Sequence, residues 1–216
     1  NLIDKLFSLY DCRKFELVSE ISSDLIKSFP NSDILLNLIG LSNRELKNYT
    51  ISENAFKRLT KISPNYPDGF NNLGAVLLDQ SKIKDAKECF KRAIILNKNY
   101  AEAYNNYGNV FIKEGEFDKA ISKIKKAINL NPHYFQAYLN LGTAYYQNMK
   151  FEYAIKSYKK ALEISPNLID AIYNIGNCLV GLGQLKQGLL EFKKVLLIDP
   201  KNLKSKYKIA TRLQKY

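Results

Sequence analysis

The chain has 216 residues, and its 33 Lys and Arg against 21 Asp and Glu give a formal net charge of +12. Hydrophobic residues make up 46% and charged residues 25%, so we expect a folded, soluble chain. No apolar run approaches the roughly 18 residues of a transmembrane helix. The 3 cysteines lie far apart and form no Cys-x-x-Cys pair, which favours a reducing compartment, and the expected location is cytoplasmic.

The predicted elements are helices, and they follow one another in pairs. Proline stands at the end of most pairs, because it cannot continue a helix. The second pair is expected to have a looser linker than the later pairs, at residues 47–50. The predicted pairs occupy residues 1–32, 33–66, 67–100, 101–134, 135–168 and 169–202, and a single closing helix follows at 203–216.

A period of 34 residues runs through the whole pattern. We number each repeat from its first residue, which is Asp33, Pro67, Ala101, Phe135 or Ile169. Positions 4, 7, 8 and 11 then form one apolar stripe on the first helix of each pair. Such a period predicts stacked helical hairpins rather than one globular core. Glycine recurs at position 8 as Gly40, Gly74, Gly108, Gly142 and Gly176, and we expect it to let the paired helices approach closely.

This pattern resembles the tetratricopeptide repeat family, whose 34-residue unit carries Leu-Gly, Tyr, Ala, Phe, Ala and Pro at fixed positions. Four copies between residues 67 and 202 match well, whereas 1–32 and 33–66 are degenerate copies. The resemblance implies an all-α fold, namely a right-handed α-solenoid of stacked helix–turn–helix hairpins with a closing helix. It also implies that residues 1–216 form a single domain and that the first helices line a concave groove.

Enzyme chemistry finds little support in this segment. The only histidine, His133, lies in a turn, and no nucleophile and base can be paired from the motifs. The glycines follow the repeat and do not form a phosphate-binding loop. We therefore expect no catalysis, no cofactor, no metal and no small-molecule substrate.

A column of asparagines is the first candidate site. At about 100° per residue, positions 2, 6, 9 and 13 of the first helices lie opposite the buried stripe. One reading is a surface that binds the backbone of an extended peptide, since an amide both donates and accepts hydrogen bonds. The other is that these amides bond across neighbouring repeats and stabilise the stack, and the sequence leaves both open. The column consists of Asn72, Asn106, Asn140 and Asn174 at position 6 and Asn109, Thr143 and Asn177 at position 9, with Asp170, Tyr146 and Tyr173 as neighbours that confer specificity.

This column resembles the asparagine ladder in the tetratricopeptide arm of O-linked N-acetylglucosamine transferase, where the ladder lines the substrate groove. The resemblance implies a protein or peptide ligand. Some other family members bind a carboxylate through paired Lys and Arg in the groove. The corresponding positions here are mainly Asn, Asp, Glu and Gln, which argues against that mode.

A basic column at positions 25 and 26 of the second helices is the second candidate. With a net charge of +12, it predicts a positive ridge that could attract acidic protein, nucleic acid or an anionic membrane. A solvated helix face is the preferred interpretation. The ridge includes Lys91, Arg92, Lys125, Lys126, Lys159 and Lys160.

Three functions follow from these patterns. The first is a protein-interaction scaffold that binds an extended partner segment in the groove. The second is the non-catalytic arm of a larger enzyme, such as a glycosyltransferase, sulfotransferase or methyltransferase. The third is a binder of anionic surfaces. The sequence leaves open the partner, the oligomeric state and the presence of a catalytic domain beyond residue 216.

Overall fold

The computed structural model describes residues 2–213, and within them thirteen α-helices follow one another without any β-strand. The all-α prediction is confirmed. Among the described helices, none combines the length and the hydropathy that a membrane crossing requires. The predicted closing helix is described from Leu203 to Leu213, and residues 214–216 of that prediction lie outside the described part, as does residue 1. The helices are α1 Leu2–Asp11, α2 Phe15–Ser28, α3 Asp33–Glu45, α4 Tyr49–Ile62, α5 Pro67–Asp79, α6 Ile83–Leu96, α7 Ala101–Lys113, α8 Phe117–Leu130, α9 Phe135–Gln147, α10 Phe151–Ile164, α11 Ile169–Gly181, α12 Leu185–Ile198 and α13 Leu203–Leu213.

The chain divides into two compact units, residues 1–110 and residues 111–216. In unit 1, consecutive helices from α1 to α6 pack against each other, and α3 also touches α5. In unit 2, consecutive helices from α8 to α13 pack in the same way. The single domain predicted for residues 1–216 stays a prediction.

The turn inside each hairpin has the same geometry in all repeats, including the two that look degenerate in sequence. The residue at position 15 has a positive φ, and the next backbone N–H donates to the carbonyl of position 11, as in a Schellman motif. In the turn after α3, Lys47 has φ 61°, and the N–H of Asn48 lies 2.8 Å from the carbonyl oxygen of Asn43. The looser linker predicted at 47–50 is therefore wrong, because α4 already begins at Tyr49.

Among the described turns, glycine occupies the positive-φ position in two, at Gly115 and Gly183. We expect Lys47→Gly to raise the free energy of unfolding by roughly 0.5–1 kcal/mol. The left-handed conformation costs a non-glycine residue about 1–2 kcal/mol, and glycine removes this cost. The greater entropy of glycine in the unfolded chain offsets up to about 1 kcal/mol of that gain. Urea unfolding measures the change. Gly115→Ala is the matched substitution in the opposite direction, and we expect it to destabilise the protein. A Cβ on Gly115 would have no neighbouring atom within 4 Å, so the effect would come from the backbone conformation and not from a steric clash. A less stable Lys47→Gly protein would contradict this assignment.

Four of the position-8 glycines, Gly40, Gly74, Gly142 and Gly176, make room for a ring from the second helix of the same hairpin. A Cβ on Gly74 would lie 2.8 Å from the Phe90 ring, and one on Gly142 would lie 2.5 Å from the Tyr158 ring. Real Cβ atoms do not approach so closely, so a larger residue at these four positions would force the ring to shift. The close approach expected at these glycines is therefore between a backbone and a ring.

The first hairpin has a packed core despite its weak sequence pattern. Leu6 of α1 and Val18 of α2 are fully buried, and both belong to one cluster with Leu35 and Leu38 of α3. The hairpin at residues 1–32 is thus joined to the next hairpin by the same kind of apolar contact that joins the regular repeats.

Candidate functional site

The candidate site is the polar side of the first helices, which we call the amide face. It comprises the residues at positions 2, 6, 9 and 13 of these helices, and each unit carries its own part. Its composition differs sharply from the rest of this basic chain: α5, α9 and α11 contain no Lys or Arg at all. The second helices α10 and α12, by comparison, contain six lysines. Positive charge is therefore kept off the amide face of these helices.

In unit 1, the position-6 asparagines bond to the neighbouring repeat. The side-chain nitrogen of Asn72 donates to the side-chain oxygen of Asn37 at 3.1 Å, and that of Asn106 donates to Asn71 at 3.0 Å. Asn71 is 6% exposed, so this second pair is shielded from water. The acceptor lies at position 5 of the preceding repeat in both cases. The amides of Asn72 and Asn106 therefore bond across neighbouring repeats, which is the structural one of the two interpretations that the sequence left open.

In unit 2, the ladder residues differ among themselves. Asn140 has an interaction partner, and the Thr143 hydroxyl lies 3.0 Å from the Leu139 carbonyl oxygen and 3.3 Å from the Tyr158 hydroxyl. Asn174 and Asn177 on α11 are half-buried and have no hydrogen-bond partner among the described residues. Asn109, the position-9 amide of unit 1, is likewise without a partner in the described part of the chain.

The three neighbours predicted to confer specificity lie in unit 2. Asp170 is exposed at the first turn of α11, four residues before Asn174. Tyr173 packs its ring 5.4 Å from that of Phe192, whereas Tyr146 packs 5.6 Å from Phe151 and keeps 36% of its surface exposed. Burial, followed by nearby Cys178 and Tyr173, raises the pKa of Tyr146, so its hydroxyl remains protonated at neutral pH. It can therefore donate a hydrogen bond to a ligand.

Two acidic residues of the unit 1 amide face, Asp68 and Asp79, have partners within the unit. Tyr100 donates a hydrogen bond to Asp68, and burial together with this carboxylate raises the pKa of Tyr100. Asp79 forms an ion pair with Arg44 at 2.7 Å. Much of the polar capacity of this face is thus used in contacts between repeats.

The predicted basic ridge lies on the second helices, and its members are largely exposed. Several form ion pairs within their own helix: Lys91 bonds to Glu88 at 2.7 Å, and Lys160 bonds to Glu163 at 2.6 Å. Arg92 places its guanidinium 5.9 Å from the centre of the Phe70 ring. Lys125, Lys126 and Lys159 are exposed on the same helices. The solvated-face interpretation of the ridge stays a prediction.

Sequence reasoning missed one charged residue, Glu53 of α4. Its side chain is 9% exposed, and its carboxylate bonds to Lys57, Lys82 and Gln80, each at 2.7 Å. Burial alone would raise the pKa of Glu53, but the hydrogen bonds from these three groups outweigh it and lower the pKa from 4.5 to about 2. The sequence signal for it was weak, because position 21 is apolar in three later repeats, as Ile121, Ile155 and Leu189, but is Lys87 in the next repeat.

The reactive side chains stand where the sequence placed them. His133 is exposed in its turn, and Cys178 is fully buried. Burial raises the pKa of the Cys178 thiol to about 12, so it remains protonated and behaves as a small apolar residue. No three His, Cys, Asp or Glu side chains gather as metal ligands in the described residues.

Comparison with known proteins places the repeats in one family. Models described as tetratricopeptide repeats match residues 67–100, 89–122, 135–168 and 169–202, and one described as a TPR repeat matches 108–148. The crystal structure of MamA is 30% identical, with a TM-score of 0.64 over 80% of this chain and 94% of MamA. A search of curated protein sequences returns no match.

Two further solved structures share the fold at lower identity. PilW, described as a widely conserved type IV pilus biogenesis factor, is 17% identical, with a TM-score of 0.85 over 97% of this chain and 96% of PilW. YrrB, described as a TPR protein with an unusual peptide-binding site, is 17% identical, with a TM-score of 0.62 over 92% of this chain and 100% of YrrB. At this identity the likeness concerns the fold alone.

Proposed function

Because the chain belongs to the tetratricopeptide repeat family, we propose that it is a protein-interaction scaffold whose amide face binds an extended segment of a partner protein. Stacked helical repeats expose long, continuous surfaces that suit such ligands. YrrB, which shares the fold, is described as having a peptide-binding site, and this supports the class of ligand without identifying it.

The composition of the amide face is the observation that carries the proposal. Its asparagines cost helix stability, since Asn is a poor helix former. Asn109, Asn174 and Asn177 gain no hydrogen bond from the described residues in return. Each unpaired amide offers one acceptor and two donor hydrogens to the carbonyl and N–H groups of an extended backbone. This capacity suits a ligand that is recognised through its main chain.

The experiment is a selection of random linear peptides displayed on phage, followed by fluorescence polarisation with the best labelled peptide. Replacing position 9 in both units, as Asn109→Arg with Asn177→Arg, introduces bulk on the amide face and should reduce the affinity at least about tenfold. The matched control, Lys125→Glu with Lys159→Glu, changes the basic ridge instead and should leave the affinity within about twofold.

The opposite pattern would overturn the proposal. If the arginine variant binds the peptide as the parent does while the ridge variant loses binding, the ligand lies on the second helices. If the selection yields no binding peptide at all, the proposed function falls. Melting curves of both variants, followed by circular dichroism, confirm that each remains folded.

A further inference from the structure

We infer that ligand recognition on the amide face is concentrated on α11, where Asn174 and Asn177 bind the main chain of a peptide segment and Asp170 binds a lysine or arginine of that segment. The inference rests on the proposed function and narrows it to one helix and one class of ligand. By the same argument, Asn72 and Asn106 stabilise the repeat stack and do not contact the ligand.

The first step concerns what the ladder residues of unit 1 can still offer. Asn72 bonds to Asn37 and Asn106 to Asn71, so each donates to the preceding repeat. A ligand that used these amides would first have to replace those bonds. The exchange of one neutral hydrogen bond for another yields little net free energy, so Asn72 and Asn106 add little to the affinity for the ligand.

The second step is a rule that predicts which position-6 asparagine has no hydrogen-bond partner in the preceding repeat. The acceptors in unit 1 are asparagines at position 5, namely Asn37 and Asn71. In the repeat that precedes α11, position 5 holds Leu139, whose side chain accepts no hydrogen bond. Asn174 therefore lacks the partner that Asn72 and Asn106 have, and none of the described residues takes that place. An amide without a partner inside the protein can bind a ligand without first breaking a hydrogen bond.

The third step is the arrangement along α11. Asp170, Asn174, Asn177 and Gly181 are spaced by four, three and four residues, so they share one side of the helix. Gly181 ends the row against the Phe151 ring, because a Cβ there would lie 2.9 Å from that ring. The stretch from Asp170 to Asn177 spans about 10 Å at 1.5 Å per residue, the length of roughly three residues of extended chain. Asp170 is exposed and the two asparagines are half-buried, so this stretch is accessible to a short extended segment.

The fourth step concerns charge. Asp170 is exposed, and within the described part of the chain it has no ion-pair or hydrogen-bond partner. Neither α9 nor α11 contains a Lys or Arg, and the described lysines of α13, which include Lys204 at the equivalent position 2, form no ion pair with Asp170. A negative charge near the N-terminus of a helix is also favourable. This combination favours a ligand with a cationic side chain and disfavours an acidic one.

The test uses the labelled phage-selected peptide and two matched double variants. Asn174→Ala with Asn177→Ala should weaken binding by about tenfold or more, because at least two hydrogen bonds are lost, and it should leave the melting temperature nearly unchanged. Asn72→Ala with Asn106→Ala should do the reverse: it should lower the melting temperature and keep the affinity within about twofold.

A gain-of-partner variant tests the position-5 rule separately. Leu139→Asn supplies the acceptor that unit 1 has at Asn37 and Asn71, so Asn174 should become engaged within the protein. We expect the affinity for the peptide to fall severalfold, with the fold retained by circular dichroism. An unchanged affinity would contradict the assignment of Asn174 as an asparagine that has no partner within the protein and binds the ligand.

The charge assignment has its own readout. The selected peptides should share a Lys or Arg, and its replacement by Ala should weaken binding to the parent but add little to the loss in Asp170→Asn. Peptides without a cationic residue would overturn this part. The double variant Asn109→Arg with Asn177→Arg separates the two proposals. If it abolishes peptide binding while Asn174→Ala with Asn177→Ala does not, the inference about α11 fails and the proposed function stands. If neither double variant affects binding, the inference and the proposed function both fail.

Discussion

Gly142→Ala is expected to lower the free energy of unfolding by about 2 kcal/mol. The added Cβ would lie 2.5 Å from the ring of Tyr158, a side chain that is 1% exposed and cannot move without repacking unit 2. Overpacking of this kind costs about 3 kcal/mol, whereas alanine gains about 1 kcal/mol over glycine in helix propensity. The steric term therefore decides the sign.

Gly69→Ala is the matched control for this prediction. Gly69 is also buried in a first helix, but its nearest neighbours would lie 3.4 Å from the new Cβ, an ordinary contact distance. The same position holds Ala103, Ala137 or Ala171 in other repeats. We expect Gly69→Ala to stabilise by up to about 1 kcal/mol in urea unfolding followed by circular dichroism. Equal effects of the two substitutions would refute the proposed role of position 8.

Glu53→Gln is expected to have the second large effect, a loss of about 3 kcal/mol at neutral pH. The pKa of Glu53 is lowered from 4.5 to about 2 in the folded state, and each pKa unit corresponds to about 1.4 kcal/mol. Glutamine keeps the shape of the side chain but cannot attract the ammonium groups of Lys57 and Lys82. The contact between α4 and the turn before α6 should weaken accordingly.

The pH dependence separates this electrostatic effect from a packing defect. Because the folded-state pKa of Glu53 lies below the unfolded value, its stabilisation is complete above about pH 4.5 and disappears as the pH falls toward 2. The stability difference between the parent and Glu53→Gln should therefore shrink over that interval. Urea titrations at several pH values measure it, and a difference independent of pH would point to packing instead.

Much of the fold was predictable from the sequence, because the same apolar, glycine and proline positions recur in each 34-residue repeat. The 34-residue period, the apolar stripe and the prolines predict the helical hairpins. The turn at Lys47 was not predicted, since a lysine with φ 61° gives no sequence signal for a tight turn. The aligned repeats did contain that information, because every turn has the same length once position 15 is recognised as the left-handed residue.

The amide face was predictable, but the state of each amide was not. Helical periodicity places Asn72, Asn106 and Asn174 on one side of their helices without indicating that two are bonded and one is not. That difference depends on the preceding repeat, where Asn37 and Asn71 are acceptors and Leu139 is not. The residue at position 5 of the preceding repeat is the sequence signal that separates position-6 asparagines bonded within the stack from those without a partner.

The most direct test of the account is a titration of ¹⁵N-labelled protein with the selected peptide, followed through the side-chain NH₂ signals of asparagine. We predict that the signals of Asn174 and Asn177 shift with increasing peptide, whereas those of Asn72 and Asn106 remain in place. Shifts of Asn72 and Asn106 with unchanged signals from Asn174 and Asn177 would contradict the account.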